Sequence, residues 1–419
     1  MIKPHKILAA ALCLAVLAGC GGSPASSGDS SASAGSTPAP ETQPIIQAQA
    51  QTEVWPLTGL DLPGEVSQAP RPVAVLVDNT AEAYPQWGVS GAQVIVEAVT
   101  EGGVTRLLCL YNNTASVPKT GPVRSVRDLF LQLCMPLNAV PVHIGASTFA
   151  KNFLNYYQWT TVDGLNVGVN TFDFDKDRAL VRTADGKRIG REHCWYTHGD
   201  AVVNGMNLRG ISPDGEMHML FDFAADAKPA GQPATQIQLQ YSYVAQSGFS
   251  YDAASGKYLK TSYGGQPHVD ANNNQQLAFD NVVLLRCESY LKPDGVHTDF
   301  NLSGGKGWWI SGGQMQPITW EKGDPEKSLV LRDQEGKVLS VKAGTSYIGM
   351  HSGTAGESLT VEGAAMLDGS PVDPPVPSPT ATPAPTASPT PAPTATPAPT
   401  AVPEATAVPE SAPAAAPAA

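Results

Sequence analysis

Neither end of this 419-residue chain can build a core, and that limits where a fold can form. From Pro371 to Ala419 the sequence runs through PVPSPTATPAPTASPTPAPTATPAPTA. Proline fixes φ and removes a backbone donor, so the tract suits neither helix nor sheet interior. It favours extended polyproline II, about 3.1 Å per residue or roughly 150 Å in all. From Gly21 to about Val54 the chain is rich in Ser, Ala, Gly, Pro and Gln with few large apolar side chains. Such a segment cannot offset its own ordering entropy and reads as a disordered tether. As a flexible coil it reaches roughly 30–35 Å. The predicted organisation is therefore a leader at 1–19, a tether at 20–54, a folded part at 55–366 and a disordered Pro/Ala/Thr-rich tail at 367–419. The tail reads equally well as a spacer into a wall layer and as a solubilising segment.

The leader has its own logic. Lys3 and Lys6 precede an apolar run from Ile7 to Ala18 that is too short for a permanent membrane span, and Leu17-Ala18-Gly19-Cys20 follows. This order resembles a bacterial lipobox, in which the thiol is lipidated and the chain is cut before it. Cys20 would then be the first mature residue. Acyl chains at about 0.8 kcal/mol per buried methylene would anchor it to the cell membrane, on the extracytoplasmic side. The formal net charge is −12 and becomes more negative once the two lysines leave with the signal. Nucleic acid and direct docking on anionic lipid are poor partners for such a chain. The remaining cysteines, Cys109, Cys134, Cys194 and Cys287, lack CxxC spacing, so neither a disulfide framework nor a zinc site is indicated.

The folded part carries two textures. Residues 55–225 alternate strand and helix patterns and predict a mixed α/β or α+β domain. The run Arg71–Val77 reads as a buried strand, 92–101 and 104–111 as a hairpin around Gly102-Gly103, and 139–145 as a further strand. Thr148 to Tyr157 reads as a helix. The stretch Lys119–Leu133, KTGPVRSVRDLFLQL, reads as a helix entered through Gly-Pro, with Val126, Leu129, Phe130 and Leu133 as its apolar stripe. From 226 to 366 short strands with Gly-containing turns predict a β-rich domain, a compact sheet or barrel.

The stretches RPVAVLVDN (71–79), VIVEAVTEGGVTRLLCLY (94–111), GPVRSVR (121–127), VHIGAS (142–147), GGKGWW (304–309) and AGTSYIGM (343–350) resemble the YerB-like bacterial lipoproteins, domain of unknown function 3048, with its N-terminal and C-terminal parts. The resemblance spans nearly all of 55–351. It implies a secreted, membrane-anchored, two-domain protein and brings no reaction and no catalytic residues. Where the family has a Pro-His-Asn-x-Tyr-Thr motif, this chain has Glu192-His-Cys-Trp-Tyr-Thr197.

Arg124 and Arg127 pose the main chemical question, because cations in the first turn of a helix oppose its macrodipole unless an anion meets them. A two-residue turn at Gly102-Gly103 predicts that Val99 faces Arg106 and Glu97 faces Leu108. Glu97, Glu101 and Arg106 would then share one face and supply that anion. The cluster reads as a structural ion network, or as a recognition site for an anionic or sugar-containing ligand of the cell envelope. Two carboxylates also raise glycoside hydrolysis, which needs them about 5–9.5 Å apart in a cleft; same-face strand residues beside an arginine suit this poorly.

His143, mid-strand, reads first as a satisfied core histidine and otherwise as a base, and it joins Glu97, Glu101, Arg106, Arg124 and Arg127 as a candidate ligand or ion-network residue. His193 and His198 lack metal-ligand spacing, Asp173–Asp177 begins like a calcium loop but fails at its glycine and glutamate, and Gly304–Gly307 lacks a complete phosphate-loop pattern. No metal and no cofactor is expected. Of Trp308 and Trp309, one is expected in the core and the other is free to stack on sugars if exposed. Together these features favour a membrane-anchored binding or scaffold protein of the cell envelope, with a wall polymer or an envelope protein as partner. The alternative is an envelope hydrolase using Glu97 or Glu101.

Overall fold

The computed structural model describes residues 53–371, apart from positions 65, 67, 168–170, 184–185, 353–355 and 368–369. The predicted signal, Cys20 and almost all of the tether and tail lie outside the described residues. Within them the fold is strand-rich with few helices, and its main sheet is mixed.

Strand β1 (Val73–Asp78) reads VAVLVD with every side chain buried, as expected of a strand covered on both faces. It lies between β3 (Thr105–Tyr111), antiparallel to it, and β4 (Val140–His143), parallel to it; β2 (Val94–Val99) precedes β3 in a hairpin. Helix α1 (Asp128–Cys134) comes before β4, and α2 (Thr148–Tyr156) connects β4 to the parallel β5 (Val162–Asp163). Helix α3 (Gly199–Arg209) packs on β5. A side chain at Gly205 would approach Val162 Cγ1 to 2.6 Å, so that glycine permits the contact.

Three antiparallel strands of a second sheet follow, β6 (Gln236–Gln240), β7 (Gln246–Asp252) and β8 (Lys257–Ser262). The chain then returns to the first sheet as β9 (Asn281–Arg286), β10 (Gly305–Ser311), β11 (Gln314–Glu321), β12 (Val330–Arg332) and β13 (Ser346–His351). It closes on the second sheet with β14 (Ser358–Val361) and β15 (Ala364–Leu367), to which Ser370–Pro371 adds a short edge strand.

Among the described residues the first sheet has eleven strands, with the path β12-β11-β10-β9-β13-β2-β3-β1-β4-β5 and Gln232–Pro233 paired to β11. Strand β13 lies parallel to both β9 and β2, so one sheet crosses the boundary expected near residue 225. The second sheet packs on one face of the first, where Tyr347 of β13 meets Phe249 of β7 with ring centroids 4.7 Å apart. On the opposite face Val96, Leu110 and Ile348 meet Leu133, Leu137 and Leu220.

Two expectations change. The helix predicted across Lys119–Leu133 begins only at Asp128, because residues 122–124 extend along the free edge of β1's second half. The Asp78 amide donates to the Pro122 carbonyl and the Arg124 amide to the Leu76 carbonyl, at 2.9 Å each. The hairpin turn has three residues, Glu101–Gly103, with Gly102 and Gly103 at φ +66° and +76°, conformations that glycine adopts without a Cβ penalty. The Thr100 amide donates to the Val104 carbonyl at 2.8 Å, so Arg106 stands opposite Ala98 and Glu97 opposite Leu107. A one-residue change of register moves a side chain to the other face, and Glu97 therefore lies on the opposite side of the sheet from Arg106.

Candidate functional site

The pairing of residues 122–124 with β1 brings Arg124 to the carboxyl end of that strand, where Asp78 is 2% exposed. Asp78 Oδ2 lies 2.8 Å from His193 Nδ1 and 3.3 Å from Arg124 Nε, and Oδ1 accepts the Thr80 amide at 3.0 Å. Burial pushes this carboxyl up, but the His193 hydrogen bond and the Arg124 charge outweigh it and hold Asp78 below the usual carboxylate range. Arg106 stands opposite Asp78 across the β1–β3 pair.

Glu101, in the hairpin turn, is the second anion. Arg127 Nε donates to it directly, Arg106 reaches it at 3.7 Å, and His297 Nε2 lies 3.0 Å from its Oε1. Burial again raises this carboxyl while Arg127 and then Arg106 lower it further, so Glu101 also lies below its ordinary range. The Arg106 and Arg127 guanidinia both donate to the Ser125 carbonyl, at 2.8 and 3.2 Å. Burial and the like charge of Arg127 depress Arg106 to about 10. Lys292 Nζ bridges Asp128 of α1 at 2.8 Å and Asp299 at 2.5 Å, tying the 289–300 segment to the same corner.

Arg106, Arg124, Arg127 and Glu101 thus form one cluster with Asp78, His193 and His297, which sequence reasoning had not joined to it. Asp78 ends a buried apolar run, a place where carboxylates are uncommon, and that was the available signal. His297 is distant in sequence and gave none. Arg124 differs from the other two arginines: its guanidinium makes no hydrogen bond among the described residues, and 26% of its side chain is exposed.

The two other candidate residues lie elsewhere. His143 donates and accepts within the core, with Nδ1 2.8 Å from the Gly145 carbonyl and Nε2 2.9 Å from Thr161 Oγ1. Burial lowers its pKa despite Asp163, so it is held neutral. Glu97 is fully buried between the two sheets. Its Oε1 accepts from Asn79 Nδ2 and Thr105 Oγ1 at 3.0 and 2.8 Å, and its Oε2 from Ser247 Oγ and Tyr347 OH at 3.0 and 2.8 Å. Lys260 Nζ, itself fully buried, lies 3.4 Å from Oε2. The four cysteines of the folded part are free and buried. Trp308 and Trp309 are both buried, because the sheet is covered on both faces where β10 crosses it, so neither offers a platform for sugar. Among the described residues no group of three His, Cys, Asp or Glu side chains is placed to hold a metal, and no helix is long and apolar enough to cross a membrane.

This strand-rich body, with its hairpin corner built from EGG-x-TR and GPVRS-x-R, belongs to a defined family. Residues 57–212 match the protein of unknown function (DUF3048) N-terminal domain and residues 237–348 its C-terminal domain; the chain is a member of that family. A Bacillus subtilis (strain 168) protein named "Putative lipoprotein YerB" is 29% identical over 298 residues, which are 70% of this chain and 84% of that protein. The crystal structure of YerB protein from Bacillus subtilis matches with a TM-score of 0.61 at 26% identity, covering 73% of this chain and 99% of that one.

Proposed function

We propose that this protein is a lipid-anchored binding protein of the cell envelope, held to the outer face of the cell membrane through Cys20. The folded part at 55–366 stands off the membrane on the 20–54 tether, and its arginine-rich corner receives an anionic group of a wall polymer or an envelope protein. One observation carries the reading: three arginines meet two carboxylates there, and Arg124, the most exposed of them, has guanidinium donors left over. Planar N–H donors of this kind suit carboxylate or phosphate groups. The relative's name as a lipoprotein and the Leu17-Ala18-Gly19-Cys20 sequence support the anchor.

Binding is favoured over hydrolysis by the state of the two carboxylates. Glu97 is sealed from solvent by its own hydrogen-bond donors, and Glu101, held below its ordinary range, has no proton to give near neutral pH. Cross-linking in intact cells followed by mass spectrometry tests the reading. The native chain should recover a wall polymer or envelope partner that Arg124→Ala recovers several-fold less well, with no turnover of wall fragments. Equal recovery by both would remove the arginine corner as the site. Cys20→Ser should leave an unlipidated precursor, since serine supplies no thiol for a thioether; lipid labelling of that variant would overturn the anchor.

A further inference from the structure

A second polar hollow lies outside the arginine corner, in a cavity of about 430 Å³ beside the carboxyl end of β5. That volume falls within the range of small-ligand sites. Strands β1, β4 and β5 run parallel here, and in such sheets ligands gather at the carboxyl ends of the strands.

The lining has a distinct chemistry. Trp159 is half-buried and packs against the core on one side, giving a fixed indole surface at low entropic cost. Asn155, Gln158 and Asn166 bring three side-chain amides; the Gln158 nitrogen already donates to the Asn155 carbonyl and the Asn166 nitrogen to Asp163, which leaves their oxygens, their second N–H groups and the whole Asn155 amide for a ligand. Lys151 and Arg209 bring two cations, and among the described residues neither forms an ion pair or a hydrogen bond. The lining carboxylate, Asp163, forms no ion pair with either, and the hollow keeps one positive charge in excess. Its Oδ1 accepts the Gly145 and Leu165 amides at 2.8 and 3.1 Å, and its Oδ2 faces Asn166 Nδ2 at 3.3 Å. In a chain of net charge −12, two unpaired cations in one hollow are a local reversal of sign.

An aromatic face, several amides and a surplus of positive charge match a sugar ring that carries hydroxyl or acetamido groups and one carboxylate. We infer that this hollow binds an acidic saccharide of one or two rings, with the ring on Trp159 and the carboxylate between Lys151 and Arg209. The site is separate from the arginine corner and does not depend on it.

Calorimetric titration of residues 20–419, produced without the 1–19 leader and with Cys20→Ser so that no lipid is attached, with N-acetylmuramic acid tests this. Saturable binding with a change in tryptophan fluorescence is expected. Neutral N-acetylglucosamine should bind about tenfold more weakly, for want of the charged contact. Trp159→Ala should weaken binding at least as much. Because Trp159 touches the core, exposed Lys151→Ala and Asn155→Ala serve as independent variants, each expected to lose several-fold in affinity with unchanged melting temperature. Arg124→Ala should leave this binding as it is. The proposal is overturned by absent saturation at millimolar sugar, by equal binding of the neutral sugar, by competition from acetate at the same concentration, or by variants that bind like the parent. Loss on Arg124→Ala with Lys151→Ala unaffected would overturn it too, and would assign the acidic sugar to the arginine corner instead.

Discussion

Two charge clusters occupy opposite faces of the β2–β3 hairpin, and they are built to different rules. Between the sheets, Glu97 is met by Asn79, Thr105, Ser247, Tyr347 and Lys260, and Lys260 in turn meets Ser262 Oγ at 2.9 Å and His268 Nδ1 at 3.2 Å. His268 Nε2 reaches Gln86 Oε1 at 2.9 Å, and Gln86 Nε2 donates to Asn79 Oδ1 at 2.8 Å, which returns the chain of bonds to its start. Donors and acceptors are matched, and both halves of the sequence contribute. At the rim, the arginine corner joins halves as well, through His297 and Lys292, yet leaves Arg124 without a hydrogen bond. A buried network has to be satisfied to be tolerated at all, whereas a half-exposed one can keep capacity for a ligand.

The largest effect should therefore come from the inner network. Glu97→Ala would strand the buried Lys260 ammonium, whose pKa burial already lowers against the pull of Glu97, and should cost about 3–5 kcal/mol in urea unfolding. Lys260→Met should cost a similar amount, and the pair Glu97→Gln with Lys260→Met should recover part of the loss. A loss under about 1 kcal/mol for either single variant would mean that the pair is not the buried ion pair described.

Next in size is Arg127 with Glu101, which is partly exposed. Arg127→Ala should cost about 1–3 kcal/mol, and Glu101→Gln in the same background should add less than it does alone. Strictly additive losses in this double-mutant cycle would remove the coupling between turn and helix.

Much of this was legible in the sequence, and the failures have physical causes. Buried runs such as Val73–Asp78 and Thr105–Tyr111 announce strands because both faces are covered, and the 148–157 helix pattern survives as α2. The GPVRS-x-R stretch misleads because extended pairing with β1, a tertiary contact, overrides an apparent helical stripe. The double glycine fits a two- or a three-residue turn equally, and the choice decides which face Glu97 takes. Helix α3 was missed since it opens on Gly199, Gly205 interrupts it, and its buried set, Ala201, Val202, Gly205 and Met206, is small. Strand β8 inverts the usual alternation: Tyr258, Lys260 and Ser262 point inward, so a lysine occupies the place where an apolar residue is expected.

A third prediction uses acid. Asp78 and Glu101 have folded pKa values below their unfolded ones, so their contribution is fully present above the unfolded value of about 4 and fades as pH falls through the folded values. Unfolding free energy measured from pH 6 downward should hold near neutrality and drop below about pH 4. Glu101→Gln should make that drop shallower, and an unchanged acid limb in this variant would mean that the Glu101 pKa is not depressed by its arginines.

The smallest stability effect belongs to Arg124, the residue on which the recognition reading rests. Its side chain is the least buried of the three, and Asp78 keeps the His193 and Thr80 hydrogen bonds without it, so Arg124→Ala should cost under about 1 kcal/mol. Removing the cation also lets the Asp78 carboxyl rise, which moves its acid-induced loss to higher pH. The inner network, untouched, should hold the melting temperature near the parent's. Partner recovery should nevertheless fall several-fold, reversing the order of effects seen in stability. If Arg124→Ala instead destabilised the fold as much as Glu97→Ala, the rim would obey the same rule as the interior. The difference between the two faces of the hairpin would then lie in burial alone.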